Sequence, residues 1–381
     1  MSDLARARAI LFEVLAIDST WGRERALAEH LADRFAGWGL HDVRLVDVPE
    51  APGRPSVIGR LPGQGGGTRS LLLNGHMDIY EVSADWSLDP FTPVERDGRV
   101  YGAGIADMKS GLAAMCAAVE ALARSPDHLA GDVWIQAVSA HFEGGLGTRA
   151  ALAAGARADA AVFGEPSALR IGIAQRGAVY LDITTLGKQA HTTARHLGVN
   201  AIERMVPVIG AVNRLEETLP YQPHPLLPGG PIVNIGTIHG GTKHNQVPDR
   251  CTISVDIRLL PSQDAVAVRD FVQRAVDEWG AEVQYSPYWL SGPRVPCETP
   301  AGAAIVRTAH EVVADVLHAA HQPVGLPFWT DMPAAAALGI PGINVGPGGP
   351  PYNWADEWVA LDEYLVAVAI YEQLARAWCR R

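Results

Sequence analysis

Apolar residues recur at helical spacing over Leu4 to Ile17 and again over Arg23 to Trp38, so each stretch predicts a helix. Val43 to Val48 alternates apolar and polar positions, as a half-buried strand does. Ser70 to Leu73, Val133 to Val138 and Ala160 to Phe163 are short apolar runs that fit strands buried on both faces. Met108 to Ala123 is alanine-rich with no breaker after Gly111, and it predicts a buried helix; Gly147 to Ala154 predicts another. Strand alternating with helix implies an α/β sheet covered by helices. The middle of the chain differs. Val179 to Thr184, Ile232 to Ile238 and Cys251 to Leu259 read as strands, while Val199 to Leu219 and Asp264 to Glu278 read as helices. This block predicts a small α+β domain, residues 178–294, inserted into an α/β domain made of residues 1–177 and 295–381. Ala301 to His318 and Glu363 to Trp378 are the helices that return to the first domain. Gly63 to Gly67 reads as a flexible turn, since it lacks the Lys-Ser/Thr and the following helix of a phosphate loop.

A chain of 381 residues is too long for one core, which agrees with two domains. Lys plus Arg number 31 against 42 Asp plus Glu, a net charge of −11. That balance argues against nucleic acid or an anionic membrane as partner and leaves a small molecule as the expected one. The four cysteines, Cys116, Cys251, Cys297 and Cys379, are scattered, which speaks against a disulfide framework or a thiolate metal site. The N-terminus has no apolar signal core, and no apolar run is long enough to span a bilayer. A cytoplasmic enzyme is the expectation.

Candidate chemistry sits at the strand ends. Asn74-Gly-His-Met-Asp78 follows the run Leu71–Leu73, where His76 and Asp78 point the same way. One can bind a metal while the other orients it, although a lone His-x-Asp also describes an ordinary surface turn. Tyr101-Gly-Ala-Gly-Ile-Ala-Asp-Met-Lys-Ser-Gly111 sets Asp107 just before the buried helix, as a bridging metal ligand or as an N-cap. Phe163-Gly-Glu-Pro166 sets Glu165 at another strand end, in restricted pre-proline geometry. Three such ligands suit one zinc with an open position.

Together these motifs resemble the dinuclear zinc family of aminoacylases, acetylornithine and succinyl-diaminopimelate deacylases and glutamate carboxypeptidases. The resemblance runs through Gly187-Lys-Gln-Ala-His191, Asn245-Gln-Val-Pro-Asp249, Asp256-Ile-Arg258, Thr330-Asp331, Gly346-Pro-Gly348 and Asp356-Glu357. It implies a zinc-exopeptidase-like catalytic domain interrupted by a lid that also forms a homodimer. By the same resemblance Asp107 bridges the metals, His76 and Glu165 complete one metal site, and Asp78 orients His76. His191 polarises the scissile carbonyl in a partner subunit, while Asn245 and Arg258 contact the substrate. Arg258 would hold a carboxylate or form a salt bridge inside the lid sheet.

The resemblance breaks in two places. Where the family carries adjacent acids after the strand Val133–Val138, a general base and then a ligand of the second metal, this chain has His141 and Phe142. A one-residue slip would make Glu143 the ligand but needs a bulge in the strand. The family's second-metal His near the C-terminus is replaced by Asn353. Phe142 offers a cation no lone pair, so one metal at most is expected, on His76, Asp107 and Glu165: zinc, or manganese or cobalt, or none. His141 or Glu143 then serves as base. The first functional reading is a one-metal amide hydrolase acting on N-acyl amino acids or dipeptides. The second is a diverted enzyme that uses the pocket for acyl transfer, amide formation, cyclisation or deamination with little metal dependence; a binding protein without turnover is the third. Trp329, Trp354 and Trp358 lie near the site motifs, as an aromatic wall or as core packing.

Overall fold

Three parallel strands organise the first unit of the chain. Val133–Val138 lies beside Leu71–His76, which lies beside Ala160–Phe163, and Gly342–Asn344 continues the parallel order. On the other side Ser56–Leu61 runs antiparallel to Val133–Val138, and His41–Val46 antiparallel to Ser56–Leu61. The sheet is therefore mixed, within an α/β architecture. This computed structural model describes residues 2–65, 69–125, 129–287, 292–349 and 352–380, so part of the glycine turn at 63–67 lies outside the described residues. All six residues of Leu71–His76 and all four of Ala160–Phe163 are buried, as their unbroken apolar runs require.

Helices Asp3–Leu15, Ser110–Arg124 and Leu361–Trp378 pack on one another, and Ser110–Arg124 rests on the central strand. Its residues Ser110 to Glu120 are all buried. Alanine suits such a helix because it loses no side-chain entropy and leaves room for close neighbours. One strand of this fold carries no clean period. Ser56–Leu61 contains Gly59, where an added Cβ would sit 3.0 Å from Leu40 and 3.2 Å from Phe35.

The second unit comprises residues 174–298 and 325–329, the first everything else. Its antiparallel sheet runs in the order Ile232–Gly240, Arg250–Leu259, Gly177–Leu186, Ala281–Tyr285. Along Arg250–Leu259 buried residues alternate with more accessible ones, the pattern of a sheet with one covered face. Helices Ala201–Asn213 and Ala265–Val276 supply the cover. Asn200 and Asp264 cap them, accepting hydrogen bonds from Ile202 and Glu203 N–H and from Ala267 N–H.

All four cysteines are free and buried. Burial lifts the Cys297 thiol to about 11 and the Cys379 thiol to about 12, and pushes Cys116 higher still. Thiolate is the reactive form. The native protein is therefore expected to resist an aromatic disulfide reagent over minutes and to release four equivalents once denatured. Rapid labelling of the native form would contradict this packing. Among the described residues no helix is long and apolar enough to cross a membrane.

Candidate metal centre

The parallel strands deliver three side chains to one end of the sheet. His76 closes Leu71–His76, His141 follows Val133–Val138 by three residues, and Glu165 follows Ala160–Phe163 by two. The ladders that flank Val133–Val138 keep their register on both sides, so among the described residues the strand carries no bulge. The bulge that a one-residue slip toward Glu143 would need is thus not found in this strand. The turn is tight: Gly144 and Gly145 N–H both bond the His141 carbonyl, at 2.8 and 3.0 Å. Asp107 lies in the turn Ile105–Lys109 at the head of helix Ser110–Arg124. There the helix meets the next strand end backbone to backbone. A Cβ on Gly111 would fall 1.9 Å from the Gly164 carbonyl oxygen, which leaves glycine as the residue that fits. Glu357 braces the same turn by accepting from Gly104 N–H at 2.6 Å and Ala106 N–H at 3.2 Å. Burial still pushes the Glu357 carboxyl up to about 7.

His76 Nδ1 lies 2.9 Å from the Asp78 backbone carbonyl, so Nδ1 carries the proton. The main chain of Asp78 orients the ring; its carboxylate is 3.9 Å away and accepts from Phe142 N–H instead. His76 Nε2 faces Asp107 Oδ1 at 3.3 Å. Both His76 Nε2 and Asp78 Oδ1 are buried with no well-formed hydrogen bond among the described residues. Burial opposes an imidazolium here, but the Asp107 contact and the charges of Glu165, Asp107 and Asp78 prevail and lift His76 to about 10. Burial pushes Glu165 well above the usual carboxylate range, whereas pairing with His76 outweighs burial at Asp107 and lowers it. The pocket thus calls for a positive charge, and a proton is the substitute when no ion is bound.

Donor atoms of His76, His141 and Glu165 lie within 4.8 Å of one another, all buried. The two imidazoles stack, with centroids 4.1 Å apart and planes at 10°. His141 Nδ1 lies 2.9 Å from Asp331 Oδ1, and Asp331 Oδ2 accepts from Thr148 Oγ1 at 2.5 Å. His76 and Glu165, with Asp107 Oδ1 3.3 Å from the orphaned His76 Nε2, offer nitrogen and oxygen donors that fit a divalent cation such as zinc, manganese or cobalt, and His141 stands within reach of the same point. The neighbouring volume is different. Phe142 meets both imidazoles edge-on, at 5.6 and 5.3 Å, and stacks on Tyr80 at 4.0 Å. Asn353, at φ 58°, donates its amide to Asp107 Oδ2 at 3.2 Å.

Glu143, expected as an alternative base or ligand, has its carboxylate taken up by Arg54 and the Trp21 indole N–H; Arg54 also holds Glu24. In the second unit His191 is exposed and pairs in a short ladder with Gln246, beside Asn245, whose carbonyl accepts from Thr192 N–H. His191 Nδ1 lies 2.8 Å from Thr193 Oγ1 and 3.3 Å from Thr193 N. Arg258 bonds Asp256 Oδ2 twice and Tyr180 Oη at 3.1 Å, so a salt bridge in that sheet is present. The tryptophan wall is not what forms around the imidazoles. Trp329 is buried in the second unit under Arg294, Trp358 is covered by Arg99, and only Trp354 shares a small cavity with Tyr80 and Asn353. Phe142 and Tyr80 are the aromatic neighbours instead. Sequence reasoning gave Asp331 no role and passed over Thr148 and Tyr80; the Thr330-Asp331 pair was the signal available for the first.

Parallel strands that end in histidine and carboxylate, gathered around leftover buried donors, are the construction of a metal-dependent α/β hydrolase. Residues 72–377 match peptidase family M20/M25/M40, and the chain belongs to that family. It is accordingly an amidohydrolase, acting on C–N bonds. An acetylornithine deacetylase of Edwardsiella ictaluri is 29% identical over 365 residues, covering 93% of this chain and 92% of its own. Among solved structures, a dipeptidase from Saccharomyces cerevisiae superposes with a TM-score of 0.82 at 13% identity, over 98% of this chain and 96% of the other. A metallo-carboxypeptidase from Sulfolobus solfataricus gives 0.79 at 18% identity, over 98% and 99%.

Proposed function

We propose that this chain hydrolyses the amide of an N-acyl amino acid or a dipeptide-like substrate with a single divalent cation held by His76, Asp107 and Glu165. The observation that carries the single-ion reading is the pairing of Phe142 and Asn353: an aromatic ring and an amide N–H occupy the positions from which a second ion would draw lone pairs. When bound, the ion supplies a Lewis acid for negative charge developing on oxygen. His141 takes the proton of the attacking water and returns it to the leaving nitrogen. Asp331 holds the ring from behind. Glu143 is not needed as base, because Arg54 and Trp21 already engage it. His191 is assigned to donate to the scissile carbonyl. Asn245 and Arg258 are assigned to the substrate, Arg258 to its carboxylate, and the second unit to pairing two copies of the chain.

Elemental analysis of the purified protein, read alongside hydrolysis of a panel of N-acyl amino acids, tests the proposal. One ion per chain is expected, with turnover lost to a chelator and restored by zinc, manganese or cobalt. Two well-occupied ions per chain, or turnover indifferent to chelation, would overturn it. Products that contain an added amine in place of water would favour the diverted enzyme.

A further inference from the structure

Behind His141 runs a line of buried side chains in which the direction of each hydrogen bond is fixed by its neighbour. It begins at the Ala156 carbonyl, which can only accept. Gln136 Nε2 therefore donates to it, at 2.8 Å, and Gln136 Oε1 is left as an acceptor. Asn74 Nδ2 donates to that oxygen at 2.8 Å and spends its other hydrogen on Thr148 Oγ1 at 3.0 Å. The Thr148 hydroxyl, having accepted, sends its own hydrogen to Asp331 Oδ2 at 2.5 Å. Asp331 Oδ1 then accepts from His141 Nδ1–H at 2.9 Å. Each of these five residues is at most 4% exposed, so water does not reverse the order. The hydrogen bonds donated by His141 and Thr148 help hold the Asp331 carboxyl below its ordinary range in spite of its burial.

We infer that Asp331 is the positioning residue of the reaction, and that the line Gln136–Asn74–Thr148 sets its polarity so that His141 holds its proton on Nδ1 and its basic lone pair on Nε2. This rests on the reading of His141 as the base. A carboxylate, which only accepts, fixes that tautomer whichever way it turns. An amide in its place does not. Because the Thr148 hydroxyl must donate, an asparagine at 331 turns its oxygen to Thr148 and its NH2 to His141. The imidazole is then forced to accept at Nδ1 and to carry its proton on Nε2, where it has no lone pair for the water's proton.

The test uses the full-length protein as purified, labelled with 15N-histidine, with the His141 signals assigned by their absence from His141→Ala. In the unmodified protein His141 is expected to be protonated at Nδ1. In D331N it should be protonated at Nε2, with kcat reduced about 100-fold or more and KM within about threefold. In the double variant D331N/T148V the hydroxyl that dictates the amide's orientation is gone. The asparagine oxygen is then released to face His141, and the Nδ1–H form should return with at least about a tenfold recovery of kcat over D331N. A loss of kcat in D331N without a change of tautomer would overturn the inference, since a merely structural role predicts that result. A double variant no better than D331N in both readouts would overturn it too. Full turnover in His141→Ala would instead sink the reading of His141 as base, while the nitrogen spectra would still decide whether Asp331 and its line fix the ring.

Discussion

His141→Ala is expected to keep one bound ion per chain and to lose about 10²- to 10⁴-fold in kcat, the range for removal of a general base. His76→Ala is expected to lose the ion, and with it nearly all turnover. The two rings lie in one stack, 4.1 Å apart, so a variant at either position disturbs the same small volume. What separates them is what stands behind each Nδ1 and what faces each Nε2. His76 is oriented by a main-chain carbonyl and turns its buried Nε2 toward Asp107 at 3.3 Å, so it is placed to share an ion with that carboxylate. His141 is backed by an ionised carboxylate, which stabilises the imidazolium that a base becomes after it has taken a proton. Metal content by mass spectrometry and single-turnover hydrolysis on both variants give the check. Loss of the ion in His141→Ala would mark it as a ligand and leave the chain without the base assigned here.

Arg54→Ala is expected to destabilise the first unit by about 3–5 kcal/mol, the usual cost of stripping one partner from a buried ion pair. Arg54 is 12% exposed and binds Glu24, which is fully buried, and Glu143, which is 2% exposed. Removing the guanidinium leaves two acids in a dry environment with the Trp21 indole as the remaining donor to Glu143. Burial already raises the Glu24 pKa above its ordinary value, against the lowering effect of Arg54. Without Arg54 that rise is larger. An acid whose folded pKa lies above its unfolded one contributes stability below the unfolded value and loses it as pH climbs through the folded value. The deficit of the variant should therefore be greatest at pH 8 and shrink toward pH 5. Urea unfolding at both pH values, compared with the parent protein, measures it. A deficit under about 1 kcal/mol at pH 8 would show the triad to be dispensable.

Much of the scaffold was legible because it is local. Val133–Val138 and Ala160–Phe163 appear in the structure with the bounds their apolar runs predict, and Ser110–Arg124 begins two residues later than its pattern does. The delay has a cause: residues 105–109 form the turn that aims Asp107, and the helical geometry starts beyond it. The strand Ser56–Leu61 was not legible, since Gly59 and Arg60 interrupt any period and its burial comes from Phe35 and Leu40 on other elements. At the site, strand ends with histidine or acid could be read. The partner of His141 could not. Asp331 stands 190 positions away, and its pairing depends on how the sheet and the short helix Met332–Ala336 pack. Glu143 likewise looked available until Arg54, 89 positions away, was seen to hold it. The alternatives at Trp329, Trp354 and Trp358 stayed open for the same reason: proximity in sequence to a motif does not say which way a ring faces.

Main chain touching main chain at positions 111 and 164 has a practical consequence for anyone redesigning this enzyme. A library that randomises Gly111 would wedge the anchor points of Asp107 and Glu165 apart, and most of its members would be lost before any chemistry was sampled. On the single-ion proposal, acidic and imidazole replacements at 142 and 353, made in combination, are the expected route to a second ion in the pocket.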